Sequence, residues 1–174
     1  MGEVRSTAKP SGRAERTREA LIRAGRKLFA EQPVDAVAID DIVRAADVAK
    51  GSFYNHFPDK DALVRSVTGE IRAGVERAIG RANAGIDEPA RRVARAVCVY
   101  MRYAVDEPVR SGVLVRVHSG HVSTSAPLNQ GIVEDVSAGL ASGRFAIATM
   151  ESAVLYILGV SQISLTRIVK EPTL

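Results

Sequence analysis

The chain has 174 residues, 46% hydrophobic and 25% charged, values that fit one ordinary domain, or a small module sharing a core with a larger one, and exclude a disordered or collagen-like chain. Twenty-four basic and 20 acidic side chains leave a formal charge of +4, too mild for a histone-like protein. The one cysteine, Cys98, excludes an internal disulfide and points to a reducing, cytoplasmic setting. No apolar run reads as long enough to span a bilayer, and the polar residues 1–10 do not resemble a signal peptide. A soluble protein with no membrane partner is therefore expected. Charge is concentrated at the start: residues 1–30 hold eight basic groups against three acidic ones, a local excess of +5. That excess suits a polyanionic partner or, equally, a solvated helix face.

Residues 1–12 are rich in Ser, Thr, Pro, Gly and charge, which predicts a flexible arm. From Arg13 the pattern turns helical, with Leu21, Ala24 or Gly25, Leu28 and Phe29 on one face, and Pro33 ends the helix. A short helix follows over Ile39–Ala46, with Asp40 and Asp41 in the first turn, where the helix dipole favours acids. The turn Asp47-Val48-Ala49 leads to a second short helix of about Lys50–His56, and the pair reads as a helix-turn-helix. Asp59 is a candidate N-cap for a long helix that buries Leu63, Val67, Ile71, Val75, Ile79 and Ala82. Residues 90–105 place Val93, Val97, Met101 and Val105 at four-residue steps, and Pro108–Val117 is a shorter apolar segment. Residues 118–127 read as a polar loop, Leu128–Leu140 as a helix with Gly143 as its stop, and Ala148–Val169 as a helix apolar nearly all round, hence buried on more than one side. No strands are expected, so the fold class is all-α.

Residues 18–63 resemble the DNA-binding domain of the TetR family of transcriptional regulators. The resemblance rests on Arg18-x-x-Leu21-Ile22-x-Ala24, Leu28-Phe29 and Asp41-Ile42-Val43-x-Ala45-Ala46-x-Val48. Its most specific part is Gly51-Ser52-Phe53-Tyr54-x-His56-Phe57-x-x-Lys60-x-x-Leu63. Beyond about a quarter of the chain the match is one of outline, with a Gly139, Gly143, Phe145 helix stop. The resemblance implies an arm at 1–12, a three-helix DNA-binding bundle at 13–57, and a helical ligand-binding and dimerisation domain at 58–174. The expected base-reading residues are Lys50, Gly51, Ser52 and Asn55. Lys can donate to guanine O6/N7, Asn can pair with an adenine edge, and the two small residues permit close approach. Tyr54, His56 and Lys60 are expected on phosphates, where contacts fix register without reading sequence. Three positions depart from the family habit. Where the family often has a threonine, a glycine and a serine, this chain has Ala38, Asp47 and Ala49 respectively. Asp tolerates the left-handed conformation, whereas each alanine forfeits a cap. Pro33 stands where the family favours glycine.

The same resemblance implies a small-molecule effector and a homodimer. Tyr100, Met101, Tyr103, Arg116 and His118 are the candidate pocket residues, being polar or polarisable positions on apolar helices. Helix 148–169 is the candidate dimer interface, because its apolar faces would otherwise be left in water. His118-x-x-His121 has helical metal-ligand spacing, but no acid stands near it and no metal or cofactor is expected. No nucleophile elbow, phosphate-cradling loop or dinucleotide fingerprint is present, so an enzyme is not expected. The leading expectation is a repressor released from a double-stranded operator by its ligand. The alternative is a ligand-independent regulator, or an activator working through a protein partner.

Overall fold

A computed structural model describes residues 12–117, 129–147 and 149–171. In chain order the helices are α1 (Gly12–Glu31), α2 (Ile39–Ala46), α3 (Lys50–Tyr54), α4 (Lys60–Asn83), α5 (Pro89–Asp106), α6 (Pro108–Val117), α7 (Gln130–Ala141) and α8 (Met150–Lys170), with a 3-10 turn at Val34–Ala36. Among the described residues there is no strand. The expected arm, apart from Gly12, and the expected loop at 118–127 lie outside the described residues.

The first core is built where α1, α2, α3 and α4 meet. Leu21, Phe29, Ile42, Phe53 and Leu63 are fully buried there. Gly25 makes that meeting possible, because a Cβ at this position would lie 3.0 Å from Leu63 Cδ2 and 3.3 Å from the Phe29 ring. The same core continues along α4 through Val67 and Ile71 to Val113 and Leu114 of α6 and Leu165 of α8. The bundle at the N-terminus thus shares its interior with the helices that follow it. A second, smaller cluster gathers Val136 of α7 with Ala153 and Val154 of α8. Phe145 folds back over the end of α7, where a Cβ at Gly139 would overlap its ring, and Gly143 takes φ +69°. That explains the Gly139, Gly143, Phe145 pattern: one glycine makes room for the ring and the other turns the chain.

Three sequence expectations need correction. Helix α3 ends at Tyr54, two residues early, because the His56 N–H turns to the Phe53 carbonyl three residues back, at 2.9 Å. Val105 is 60% exposed although it continues the four-residue steps of α5. Each such step overshoots a turn by about 40°, so three of them leave the buried face, and Ala104 is the residue buried there instead. Helix α8 is buried only at Ala153, Val154, Ser161 and Leu165, while Leu155, Tyr156, Val160 and Ile163 are exposed. By length and composition alone, α8 could also cross a membrane: its 21 residues reach a mean hydropathy of 1.5 over an 18-residue stretch. Ser161, Gln162, Ser164 and Thr166 interrupt the run of consecutive apolar residues without lowering that mean much.

Candidate nucleic-acid interface

The turn between α2 and α3 depends on Asp47, which takes φ 54° and ψ 50°. Its N–H bonds to Arg44 O at 3.2 Å, and the Val48 N–H to Val43 O at 3.0 Å. This is the left-handed conformation that glycine would supply, adopted here by an aspartate that tolerates it. Helix α3 is barely more than one turn long and is held by one anchor. Phe53 is fully buried, with the Phe57 ring 5.8 Å away and the Tyr54 ring edge-on at 5.4 Å. The other side carries Lys50, Gly51, Tyr54 and Asn55, all exposed, with Tyr54 at 51%. Lys50 and Tyr54 stand one turn apart, as do Gly51 and Asn55, so the four make one compact face. Ser52 and His56 are half-buried at its edge. A Cβ at Gly51 would meet nothing within 4 Å, so nothing inside the protein requires a glycine there.

Two of the basic residues singled out from sequence already have partners. Lys50 Nζ lies 2.8 Å from Asp40 Oδ1, and that hydrogen bond raises the Lys50 pKa above its ordinary value. Lys60 Nζ donates to Val34 O at 2.8 Å and to Val37 O at 3.0 Å. Lys60 therefore ties the start of α4 to the connection between α1 and α2, with one ammonium N–H left over. Beside it, Asp59 caps α4 by accepting from the Ala62 N–H at 2.7 Å. Neither Ala38 nor Ala49 supplies a side-chain cap. Asp41 partly compensates at α2, accepting from the Ala38 N–H at 3.3 Å. Arg18 is a brace that sequence reasoning missed. Its guanidinium lies 5.4 Å from the Phe57 ring centroid, and Nη2 reaches Ser66 Oγ at 3.4 Å.

A cavity of about 480 Å³ lies among α4, α5, α7 and α8. Val75, Ile79, Val97, Leu114, Ile132 and Ile157 supply its apolar wall, and Arg72, Glu76, Tyr100, Ser161 and Gln162 its polar groups. Burial lowers the Arg72 pKa, raises that of Glu76 and pushes the Tyr100 phenol up to about 12. At one end Arg92 Nε pairs with Asp135 Oδ1 at 2.5 Å, while Nη1 donates to Ile86 O at 3.3 Å. Of the pocket residues expected from sequence, Tyr100 lines this cavity. Met101, Tyr103 and Arg116 do not, and His118 lies outside the described residues. On α5 the cavity takes Arg92, Ala96, Val97 and Tyr100, and a residue one place further is rotated by about 100°. Tyr103 packs instead on the first core, and Arg116 Nη1 donates to Gly112 O at 3.4 Å. Glu76, Asp135 and Gln162 escaped the sequence reading. The Arg92–Asp135 pair, for instance, spans 43 residues and leaves no local signal. Among the described residues no His, Cys, Asp and Glu group is arranged to hold a metal ion, and His118 and His121 lie outside them.

An all-helical chain with a short, anchored, outward-facing helix after a tight turn is a helix-turn-helix protein. Residues 21–67 match the family described as bacterial regulatory proteins, tetR family. The chain is 40% identical over 62 residues to the HTH-type transcriptional repressor DhaR of Mycobacterium sp. (strain GP1), covering 36% of this chain and 31% of that protein. It is 32% identical over 97 residues to the HTH-type transcriptional regulator HbdR of Aromatoleum sp. (strain CIB), covering 56% and 42%. The matches thus span less than half the length of these curated relatives, both named as transcriptional regulators rather than enzymes. Among solved structures, the fold is similar to a putative tetR family transcription regulator from Shewanella sp. PV-4, with TM-score 0.77 and 20% identity over 90% of this chain and 87% of that one. It is also similar to RolR in complex with resorcinol, with TM-score 0.59 and 26% identity over 91% and 81%. The similarity to the tetR family thus covers residues 21–67 in sequence and about nine tenths of the chain in fold.

Proposed function

We propose that this chain is a sequence-specific DNA-binding regulator of transcription, acting as a cytoplasmic homodimeric repressor that a small molecule releases from its operator. The observation that carries the reading is the face of α3. Lys50, Gly51, Tyr54 and Asn55 are presented together to solvent, while Phe53 fixes the opposite side in the core. In this reading Lys50 and Asn55 meet base edges, with Gly51 and Ser52 allowing the approach, and Tyr54 and His56 hold phosphates. Lys60 adds at most the one N–H that its two carbonyl bonds leave over. Residues 13–57 form the reading unit, and residues 58–174 form the effector and dimerisation unit.

The cavity supports the effector half of the reading. Its volume lies in the small-molecule range, and its wall is apolar with a few polar groups, as ligand sites are. Arg72 and Arg92 share its lining with Glu76, Asp87 and Asp135, so no basic excess is left for a strong anion and a neutral ligand is favoured. RolR, similar at 26% identity, has been solved with resorcinol, which makes resorcinol the first compound to try. The alternative, a ligand-independent regulator or an activator working through a protein partner, gains no support from a cavity of this size. The test is fluorescence anisotropy against the DNA upstream of the protein's own gene, with a scrambled duplex as control. Binding about a thousandfold tighter to the true sequence at physiological salt is expected. Salt-sensitive binding indifferent to sequence would overturn the reading. Resorcinol is then titrated into the complex, and release identifies the cavity's ligand class.

A further inference from the structure

Two neighbouring acids open α2, and they have different tasks. Asp41 serves its own helix: it accepts from the Ala38 N–H at 3.3 Å and from Arg44 Nη1 at 3.2 Å. Asp40 leaves the helix and reaches across to α3, where its Oδ1 lies 2.8 Å from Lys50 Nζ. Both side chains of this pair are more than half exposed, at 58% and 57%, so it stands in water and adds little to the fold. An exposed carboxylate beside a DNA-reading helix is also unfavourable for any encounter with phosphates. The helix dipole favours an acid in the first turn of α2, but neither that nor general DNA affinity explains why the Asp40 carboxylate is directed onto Lys50.

We propose that Asp40 is a specificity-determining residue that holds the Lys50 ammonium until a base edge offers something better. A guanine edge presents two acceptors, O6 and N7, whereas Asp40 presents one oxygen at hydrogen-bond distance. A phosphate drawn to Lys50 would come up against the Asp40 carboxylate, a repulsion that the neutral guanine edge does not meet. Asp40 thus suppresses Lys50 contacts to arbitrary DNA and leaves those to the preferred base. This inference rests on the base-reading role proposed above for Lys50.

The test uses the full chain and its Asp40→Asn, Lys50→Gln and doubly substituted variants. Asparagine keeps the size of Asp40 and removes its charge, and equal melting temperatures check that folding is intact. Each protein is titrated with a 30-base-pair random-sequence duplex pool across a salt series, and bound duplexes are sequenced after selection. Asp40→Asn is expected to bind the unselected pool about threefold to tenfold tighter, with a salt slope steeper by up to about one. It should also lose base preference at one position of each half-site. With Lys50→Gln already present, adding Asp40→Asn should change affinity less than about twofold. Equal tightening with and without Lys50 would mean that Asp40 acts only as a negative charge and would overturn the proposal, as would an unchanged sequence preference. If the unsubstituted protein enriches no sequence, base reading by α3 itself fails and this inference falls with it. That outcome is distinct from enrichment that Asp40→Asn leaves unaltered.

Discussion

Phe53 and Tyr54 are consecutive aromatics with opposite environments, one fully buried and the other 51% exposed. A ring whose hydroxyl stands in water needs a reason beyond packing, and a phosphate is the partner the family resemblance supplies. Replacing Tyr54 with Phe keeps the edge-on contact with Phe53 and removes only the hydroxyl. Loss of one hydrogen bond to a charged acceptor costs about 1.5–3 kcal/mol, which is roughly tenfold to a hundredfold in affinity. Binding should weaken by that factor on every duplex, operator or not, with the melting temperature unchanged; a selective loss on the operator alone would make Tyr54 a base reader. At this scale the sequence disclosed residue types better than partners. The Tyr54, His56, Lys60 string marked residues that the structure places around the end of α3 and the start of α4, with Tyr54 exposed and the other two half-buried. That Lys60 would sit on Val34 O and Val37 O, and Lys50 on Asp40, depends on how separate segments pack, and no local pattern encodes that.

At the scale of the element, helix ends were more legible than helix faces. Pro33, Asp59 and Gly143 each act through a local backbone rule, and α1, α4 and α7 begin or end within about two residues of them. Faces depend on accumulated rotation, which is why Val105 emerged into solvent and why Tyr100, rather than Met101, reached the cavity. The missing caps are a local matter as well. Helix α3 starts from Ala49 with no side-chain acceptor, and its backbone there is already extended, at φ −68° and ψ 147°. Ala49→Ser should therefore add a cap without strain, stabilising the protein by about 1 kcal/mol and raising the melting temperature by about 2–4 °C. An unchanged melting temperature would indicate that Phe53 alone fixes α3. The start of α5 gives a pH prediction. Glu88 accepts from the Ala90 and Arg91 N–H groups at 3.2 and 2.7 Å and pairs with Arg144 at 2.8 Å, and the Arg144 bond leads in lowering its pKa below 4.5. Its contribution is present above that ordinary value and is lost as the pH falls through the lowered one. Glu88→Gln should accordingly flatten the acid limb of the stability profile below about pH 4.5 and leave the alkaline limb alone.

For the whole molecule, the question is what covers α8. Its buried residues turn inward against the second cluster and the first core. Leu155, Tyr156, Val160 and Ile163 lie on the outward side, with Tyr156 73% and Ile163 71% exposed. Two occupants are physically open to such a face: a second copy of the chain or a lipid bilayer, since the helix has the length and hydropathy for either. They make opposite demands. A two-fold dimer matches α8 to itself and sets two α3 helices about 34–36 Å apart, one turn of DNA. A bilayer would leave each reading helix to act singly. Ile163→Glu separates the two. In the dimer, two buried carboxylates would face each other across the axis, and each costs several kcal/mol to desolvate. Light scattering should then report twice the chain mass for the unsubstituted protein and a single chain mass for the variant, with the melting curve still cooperative. Operator affinity should fall at least about a hundredfold, because the second half-site no longer binds at the effective concentration that a dimer provides. A monomeric unsubstituted protein that sediments with phospholipid vesicles would assign the face to the bilayer instead, and the two-fold arrangement of the reading helices would have to be abandoned.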